Sequence, residues 1–246
     1  MSLDGNEEDG WSAVADEWVE LWGSFGDPVR EVLIAETGIG PGTRVLDVGA
    51  GSGEFITQLQ ATGAVASGID PAPGMVRRAG PHVQLGAWEH LDWPDDTFDF
   101  VTAVNSLQFA EDTVDALAEA RRVLKPGGLL AIANWAEGEL NDLNAIEAVV
   151  AEKAGEEPLP DGDLRVAGGL ERLVTDVGLE VVASGVVDMP WHAPDTATLV
   201  RGVLLGEDDE VMAALMPVVL DAAEPFAVDE GYVLHNAFRW CVARVP

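Results

Sequence analysis

The sequence has a single cysteine, Cys241, in 246 residues, so no disulfide bond can form within the chain. It also lacks any uninterrupted apolar run near the roughly 18 residues that a membrane helix requires. The segment 1–9 is acidic and lacks the basic region and the apolar stretch of a secretory signal peptide. These absences predict a protein of the reducing cytoplasm without a membrane partner.

Basic residues are also scarce: the chain has 13 Lys and Arg against 44 Asp and Glu, and its formal net charge is -31. Binding to a nucleic-acid backbone requires a basic surface that releases counterions, and the few cations here are scattered along the chain. The composition therefore predicts no nucleic-acid partner. Physiological salt screens exposed charges beyond about 8 Å, so a high-salt habitat is compatible with this charge but is not required by it.

Short apolar segments alternate with segments of helical spacing along the chain. The predicted strands are 43–48, 65–69, 83–85, 98–104, 129–135, 179–187 and 234–245. Between several of them, apolar residues recur at helical intervals, as in 54–62 and 112–124. This βαβ alternation predicts an α/β fold in which helices cover both faces of a doubly wound, mostly parallel, seven-stranded sheet.

Two helical regions lie outside this alternation. Segment 11–38 predicts two N-terminal helices, and the first of them carries one apolar face made of Trp11, Val14, Ala15, Trp18 and Trp22. Segment 195–225 predicts a two-helix insertion before the last strand, where it is a candidate cover for a site. With 43–135 as the ligand-binding core, these regions predict a single domain over 1–246.

The segment VLDVGAGSG (45–53) predicts a strand that enters a glycine-rich turn at the start of a helix. Glycines allow unusual backbone angles there, and the helix start presents free N–H groups to a ligand. A dinucleotide-binding turn would need a further glycine at the position that Glu54 occupies. Asp47 and Glu54 flank the turn, so they would repel a pyrophosphate and suit a ligand that bears a sulfonium and an ammonium group. A nicotinamide oxidoreductase is thus the less favoured interpretation.

Asp70 ends the second predicted strand and is followed by a predicted helix. A carboxylate at this place can accept hydrogen bonds from two vicinal ribose hydroxyls. The alternative role is an N-cap of the following helix, and the two roles are compatible.

Four segments together resemble the class I S-adenosylmethionine-dependent methyltransferases. They are 45–53, Gly68-Ile69-Asp70, GAWEHLDWPDDTFD (86–99) and LKPGG (124–128), within a resemblance that covers 11–135. The similarity is greatest to the small-molecule branch that includes enzymes of the ubiquinone and menaquinone pathways. The resemblance implies a Rossmann-like methyltransferase fold, S-adenosylmethionine as cofactor, and methyl transfer to a small-molecule acceptor.

The resemblance also implies a set of cofactor-binding residues. The glycine turn would cradle the methionine end with Asp47 nearby, Asp70 would bind the ribose, and Met75 would pack on the adenine. Ala87 stands where the family usually has an aspartate that binds the adenine amino group, so adenine recognition would rely on its neighbours. The implied set is Asp47, Gly49, Ala50, Gly51, Gly53, Asp70, Pro71, Met75, Ala87, Trp88, Glu89, Asn105 and Ser106.

Methyl transfer from a sulfonium needs mainly alignment and desolvation, and a general base is needed only if the acceptor must lose a proton. The acceptor pocket is predicted to include Trp18, Trp22, Gln108 and Trp135, with 195–225 as its cover. His192 is the candidate base, and the other candidates are Asp188, Tyr232 and His235. No metal site is expected, because the four histidines lack metal-ligand spacing. The alternative function is a sensor or partner subunit that binds S-adenosylmethionine or S-adenosylhomocysteine without catalysis.

Overall fold

A computed structural model of the chain describes residues 7–157 and 160–246. The interpretation of the N-terminal segment as lacking a signal peptide therefore falls largely outside the described residues. In the described part, no helix is both long and apolar enough to cross a membrane.

A seven-stranded sheet forms the centre of the protein. Its strands are β1 (Arg44–Val48), β2 (Val65–Asp70), β3 (Val83–Leu85), β4 (Phe98–Val104), β5 (Leu124–Trp135), β6 (Glu180–Asp188) and β9 (Ala237–Arg244). They lie in the order β3-β2-β1-β4-β5-β9-β6. The first five strands pair in parallel, whereas β9 is antiparallel to both of its neighbours. The predicted α/β class and the mostly parallel seven-stranded sheet are thus confirmed.

Helices pack on both faces of the sheet, which is why central strand residues such as Leu130 and Ala131 are fully buried. The α-helices in the described residues are α1 (Glu7–Trp22), α2 (Asp27–Thr37), α3 (Glu54–Ala61), α4 (Pro73–Ala79), α5 (Thr113–Val123), α6 (Asp142–Ala154), α7 (Gly169–Asp176), α8 (Thr196–Val203) and α9 (Asp209–Ala223). The two larger apolar cores of the described residues lie one on each face of the sheet. The single cysteine, Cys241, is fully buried in one of them.

Several elements differ from the sequence-based expectation. Helices α6 and α7 were not predicted, and β5 begins at Leu124 because the LKPGG segment continues the strand across a register shift opposite β4. The predicted strand 234–245 is divided into β8 (Tyr232–Leu234) and β9, since the buried Asn236 interrupts it. Strand β8 pairs instead with β7 (Trp191–Ala193) in a separate two-stranded sheet.

Helix α8, the first helix of the predicted insertion, is part of the main core. The Trp22 and Trp191 rings stack with centroids 4.3 Å apart, and Trp22 Nε1 donates a hydrogen bond to the Gly202 carbonyl in α8. A Cβ at Gly202 would lie 2.3 Å from the Trp191 ring, so glycine is what allows this close packing. Aromatic packing therefore holds helix α8 against α1 and β7.

The N-terminal helix α1 lies directly against α4. The Gly74 N–H donates to Ser12 Oγ at 3.0 Å, and a Cβ at Gly74 would lie 2.2 Å from the Ser12 carbonyl oxygen. This close approach carries Trp11 and Trp18 over the carboxyl ends of the parallel strands.

Candidate cofactor site

A cavity of about 460 Å³ lies at the carboxyl ends of β1, β2 and β4. Its size is within the range of about 300–1,000 Å³ that is typical of small-molecule sites. Trp11, Trp18 and Phe109 line it, and Trp11 makes edge-to-face contacts with the other two rings at 5.1 and 5.9 Å. These three rings form an aromatic roof, which joins α1 to the segment after β4.

The structure brings most of the sequence-predicted cofactor residues together around this cavity. Those that line it are Gly49, Ala50, Gly51, Asp70, Pro71, Met75, Ala87, Trp88, Glu89, Asn105 and Ser106. Asp47 and Gly53 are the two that do not.

The three glycines of the turn serve different purposes, although all have positive φ. A Cβ at Gly49 would lie 2.2 Å from Ser106 Cβ, and one at Gly53 would lie 3.0 Å from Ala79 Cβ, so both positions are glycine because of protein packing. A Cβ at Gly51 would meet no atom within 4 Å. Gly51 is therefore the glycine whose bare backbone faces the open cavity.

Asp70 fastens the turn to the start of α4. Its Oδ2 accepts a hydrogen bond from the Gly51 N–H at 2.8 Å, and its Oδ1 accepts one from the Ala72 N–H at 2.9 Å. Burial raises the pKa of this carboxyl, while the two backbone hydrogen bonds lower it. Each oxygen keeps a second lone pair, so Asp70 can accept hydrogen bonds from a ligand while it holds the turn.

Asp47 does not line the cavity, which corrects the expectation from the sequence that its negative charge lies beside the ligand. It is only 2% exposed and accepts a hydrogen bond from Thr102 Oγ1 at 2.7 Å. Burial raises the pKa of Asp47 to about 7, although the Thr102 hydrogen bond and Arg30 oppose the shift. The carboxyl therefore lies beneath the turn and is only partly ionised near neutral pH.

We expect Asp47→Asn to change the pH dependence of stability. The pKa of Asp47 is raised from 3.8 to about 7, so its contribution to stability is fully present below pH 3.8 and is lost as the pH rises through about 7. The Asp47→Asn protein should lack this loss and should exceed the wild type by up to a few kcal/mol above pH 7. Urea unfolding from pH 5 to pH 8 measures the difference, and Asp188→Asn at an exposed strand end controls for the change in net charge. Parallel stability curves for the wild type and the Asp47→Asn protein would contradict the assignment.

The charged side chains around the cavity are mostly acidic. The acidic residues that line it are Glu54, Asp70, Glu89 and Glu111. Among the described residues that line the cavity, Arg30 is the only basic one. Ser52 Oγ lies 2.7 and 2.9 Å from the two Glu54 carboxylate oxygens, which fixes that side chain in place. This arrangement favours a ligand with positive charge and with one negatively charged group.

An apolar slot lies beyond Asp70, between α4 and the segment after β3. Met75 and Trp88 are buried there beside Ala87, and Trp88 Nε1 has no hydrogen-bond partner among the described residues. A planar apolar ligand group fits such a slot, because it would bury apolar surface there. Glu89 Oε1 accepts a hydrogen bond from the Glu111 N–H at 2.9 Å, and both residues line the cavity.

Asn105 lies at the end of β4 with an unusual positive φ of 54°. Its Oδ1 accepts a hydrogen bond from Gln108 Nε2 at 2.9 Å, and the neighbouring Ser106 Oγ donates to the Val48 carbonyl at 2.6 Å. Gln108 therefore holds the Asn105 side chain in place but does not itself line the cavity.

Of the predicted acceptor-pocket residues, only Trp18 lines this cavity. Trp22 is buried against Trp191, whereas Gln108 and Trp135 line a second cavity of about 390 Å³. No residue of 195–225 lines either cavity.

None of the candidate bases lines either cavity. His192, His235 and Asp188 are exposed, and Tyr232 is half-buried. His192 pairs within the small β7–β8 sheet, outside the cavity.

The predicted cofactor and acceptor residues leave out nine residues that line the cavity. Five of them adjoin predicted cofactor residues along the chain: Val48, Glu54, Ala72, Gly86 and Val104. The other four do not: Trp11, Arg30, Phe109 and Glu111. The sequence could have predicted Trp11, because it shares the apolar face of α1 with Trp18. It could not have predicted Arg30, since the burial of Arg30 depends on how α2 packs against the glycine turn.

Comparison with known proteins gives the family. The methyltransferase domain family matches residues 46–132. The malonyl-[acyl-carrier protein] O-methyltransferase of Serratia marcescens is 31% identical over 183 residues, which is 71% of this chain and 68% of that protein. The demethylmenaquinone methyltransferase of Corynebacterium kroppenstedtii is 39% identical over 99 residues, which is 39% of this chain and 43% of that protein.

The fold comparison agrees with the sequence relatives. The methyltransferase in a complex with the Trm112 methyltransferase activator from Haloferax volcanii has a TM-score of 0.64 and 22% identity, over 98% of this chain and 99% of that chain. The chain spans 43% of the length of three mycobacterial relatives that are 35% identical to it over 117 residues. The chain belongs to the class I S-adenosylmethionine-dependent methyltransferases, and S-adenosylmethionine is its cofactor.

Proposed function

We propose that this protein transfers the methyl group of S-adenosylmethionine to a small-molecule acceptor. The observation that carries the proposal is one cavity in which bare backbone at Gly51, a buried carboxylate at Asp70 and an apolar slot at Met75 and Trp88 follow one another. This order matches the methionine, ribose and adenine parts of the cofactor.

The residues present fit that group. The open space above Gly51 admits a chain against the backbone, and Asp70 has free lone pairs for the two ribose hydroxyls. Met75 and Trp88 give the adenine slot an apolar lining. When bound, the cofactor supplies an activated methyl group on a positively charged sulfur.

The chain contributes alignment and water exclusion. Asn105 and Ser106, held by Gln108 and by the Val48 carbonyl, form a rigid wall at the end of β4. The aromatic roof of Trp11, Trp18 and Phe109 limits the access of water. Orientation of two reactants can lower a barrier by roughly 7–11 kcal/mol, so no dedicated base is required for an acceptor that is already nucleophilic.

The relatives support a small-molecule acceptor without identifying it. Their names include demethylmenaquinone methyltransferase and sterol 24-C-methyltransferase. The acidic surface also disfavours nucleic acid, because it offers few cations to phosphates. We place the activity in the cytoplasm, where the buried thiol of Cys241 would stay reduced.

Formation of S-adenosylhomocysteine tests the proposal. The protein and methyl-labelled S-adenosylmethionine are incubated with a cell extract that has been divided into small molecules and macromolecules. We expect label to enter the small-molecule fraction, and a Gly51→Val protein serves as the inactive control. Label that enters only macromolecules would contradict the small-molecule acceptor. Cofactor binding without turnover in either fraction would favour the non-catalytic sensor.

A further inference from the structure

The second cavity, of about 390 Å³, lies at the carboxyl ends of β4 and β5. Its lining residues come from the segment after β4, from the end of β5, from the chain before α7 and from α7 itself. Among the described residues, none lines both this cavity and the cofactor cavity. Its volume is typical of small-molecule sites, and ligands of open α/β sheets bind beyond the carboxyl ends of the strands. The second cavity is thus suited to a second ligand.

Two buried side-chain oxygens belong to residues that line this cavity and have no hydrogen-bond partner among the described residues. They are Gln108 Oε1 and Asn134 Oδ1. Asn134 lies in the buried part of β5 and is only 5% exposed. A buried amide oxygen that has lost water without gaining another donor destabilises the protein. Two such acceptors in the lining of one cavity point to a ligand that brings O–H or N–H donors.

The rest of the lining favours an uncharged ligand with an apolar body. The larger apolar residues that line the cavity are Trp135, Leu164 and Leu173. The charged ones among the described lining residues are Asp163 and Arg165, and each has an ionic partner in the protein. Arg165 pairs with Asp161 at 3.2 Å, and Asp163 pairs with Arg172 at 3.7 Å. An ionic ligand would therefore compete with pairs that already exist.

Gln108 connects this cavity to the cofactor cavity. Its Nε2 donates hydrogen bonds to the Asn105 carbonyl at 3.0 Å and to Asn105 Oδ1 at 2.9 Å. Asn105 itself lines the cofactor cavity. A donor on Gln108 Oε1 would hold the amide and strengthen the hydrogen bonds that its Nε2 donates, because linked hydrogen bonds polarise one another. The Gln108 amide can thus carry the effect of a ligand from one cavity to the other.

We propose that the second cavity binds an uncharged compound whose O–H or N–H groups donate to Asn134 Oδ1 and Gln108 Oε1. By holding Gln108, and through it Asn105, the compound strengthens cofactor binding. The compound binds independently of the proposed function, whereas its effect on the cofactor rests on that function. Asn105 lines one cavity and Gln108 the other, so this pair separates the compound from the cofactor, and the compound is not the methyl acceptor.

Fluorine NMR titrations of the full chain test the class of ligand, with para-fluorobenzyl alcohol and para-fluorobenzamide as the probes that carry a donor. The matched probes are para-fluorobenzyl methyl ether and the N,N-dimethyl amide, which lack the donor, and para-fluorobenzoate, which is charged. Each titration is made with and without S-adenosylhomocysteine at saturation, which fills the cofactor cavity. We expect the wild type to bind the two donor probes at least about tenfold more tightly than the other three in both conditions.

Three variants separate the site from the rest of the chain. Asn134→Leu keeps the size of the side chain and removes its oxygen, so it should lose the preference for donor probes. Gln84→Leu, which removes an exposed amide on β3 that lines neither cavity, is the matched control and should keep the preference. A Cβ at Gly162, in the loop before α7, would meet no atom within 4 Å. Gly162→Leu should therefore fold even if Asn134→Leu does not, and it should weaken the binding of both donor probes at least about tenfold by filling the cavity.

Calorimetry measures the effect on the cofactor cavity. We expect para-fluorobenzyl alcohol to raise the affinity for S-adenosylhomocysteine about fivefold in the wild type. Gln108→Met, which keeps the length of the side chain but lacks the amide, should abolish this increase.

A wild type that binds none of the probes, or that binds donor and donor-free probes equally, would overturn the inference. A donor preference that survives in Asn134→Leu would also overturn it, as would displacement of the probes by S-adenosylhomocysteine. Methylation of the alcohol by S-adenosylmethionine, or an unchanged affinity for S-adenosylhomocysteine, would do the same. Titration with S-adenosylhomocysteine alone tests the proposed function separately, because the probe titrations without it examine the second cavity by itself.

Discussion

Replacement of Gly51 by valine is expected to weaken S-adenosylmethionine binding by more than about 100-fold while the chain still folds. The Cβ at this position would enter open space in the cavity and meet no protein atom within 4 Å. The valine methyl groups would therefore fill the place of the ligand, and steric overlap of this kind costs several kcal/mol. Calorimetry with S-adenosylhomocysteine measures the loss, and thermal unfolding monitored by circular dichroism confirms the fold.

Gly38→Val is the matched control for backbone strain. Gly38 ends α2 with a φ of 70°, close to the 53° of Gly51, and a Cβ there would also meet nothing within 4 Å. Both variants should lose about 1–3 kcal/mol of stability from a valine at positive φ, but only the valine at position 51 should impair binding. Normal affinity in the Gly51→Val protein would show that the ligand does not approach this backbone.

Removal of the Asp70 carboxylate should produce the next largest loss. Asp70→Ala is expected to weaken S-adenosylhomocysteine binding by roughly 1–3 kcal/mol, because buried ribose hydroxyls would lose their acceptor. The 2′-deoxy analogue of S-adenosylhomocysteine separates the ribose contact from the role of Asp70 in holding Gly51 and Ala72. This analogue should bind the wild type more weakly than S-adenosylhomocysteine does. The Asp70→Ala protein should bind the two compounds about equally well.

Asp112→Ala controls for the loss of a capping carboxylate. Asp112 accepts hydrogen bonds from two backbone N–H groups at the start of α5, as Asp70 does from Gly51 and Ala72, but it does not line the cavity. We expect it to reduce stability without changing the preference for the ribose hydroxyls. A full preference for the hydroxyl in the Asp70→Ala protein would contradict the ribose assignment.

The parts of the site that follow one another along the chain could be predicted from the sequence. The glycine turn and the carboxylate at the end of β2 come together because adjacent parallel strands end at the same edge of the sheet. The role of Asp47 could not be predicted in this way. It is buried in a central strand beside Thr102 of β4, and only the tertiary structure shows that it lies away from the cavity.

The sequence patterns did not predict the cavity residues that come from distant elements of the fold. The apolar face of α1 indicated that Trp18 and Trp22 share one side of the helix. It could not show that the cavity ends between them and that Trp22 packs on Trp191. Arg30 and Glu111 enter from α2 and from the segment after β4, so their convergence depends on packing across the whole sheet edge. The packing of helix α8 into the core was likewise not predictable, because it depends on the stacked rings of Trp22 and Trp191.

A calorimetric titration of the full chain with S-adenosylmethionine, with NAD as the comparison ligand, tests the account most directly. We expect S-adenosylmethionine to saturate one site per chain and NAD to produce no binding heat, because the acidic cavity disfavours a pyrophosphate. A flat titration with millimolar S-adenosylmethionine, or saturable binding of NAD, would contradict the assignment of this cavity.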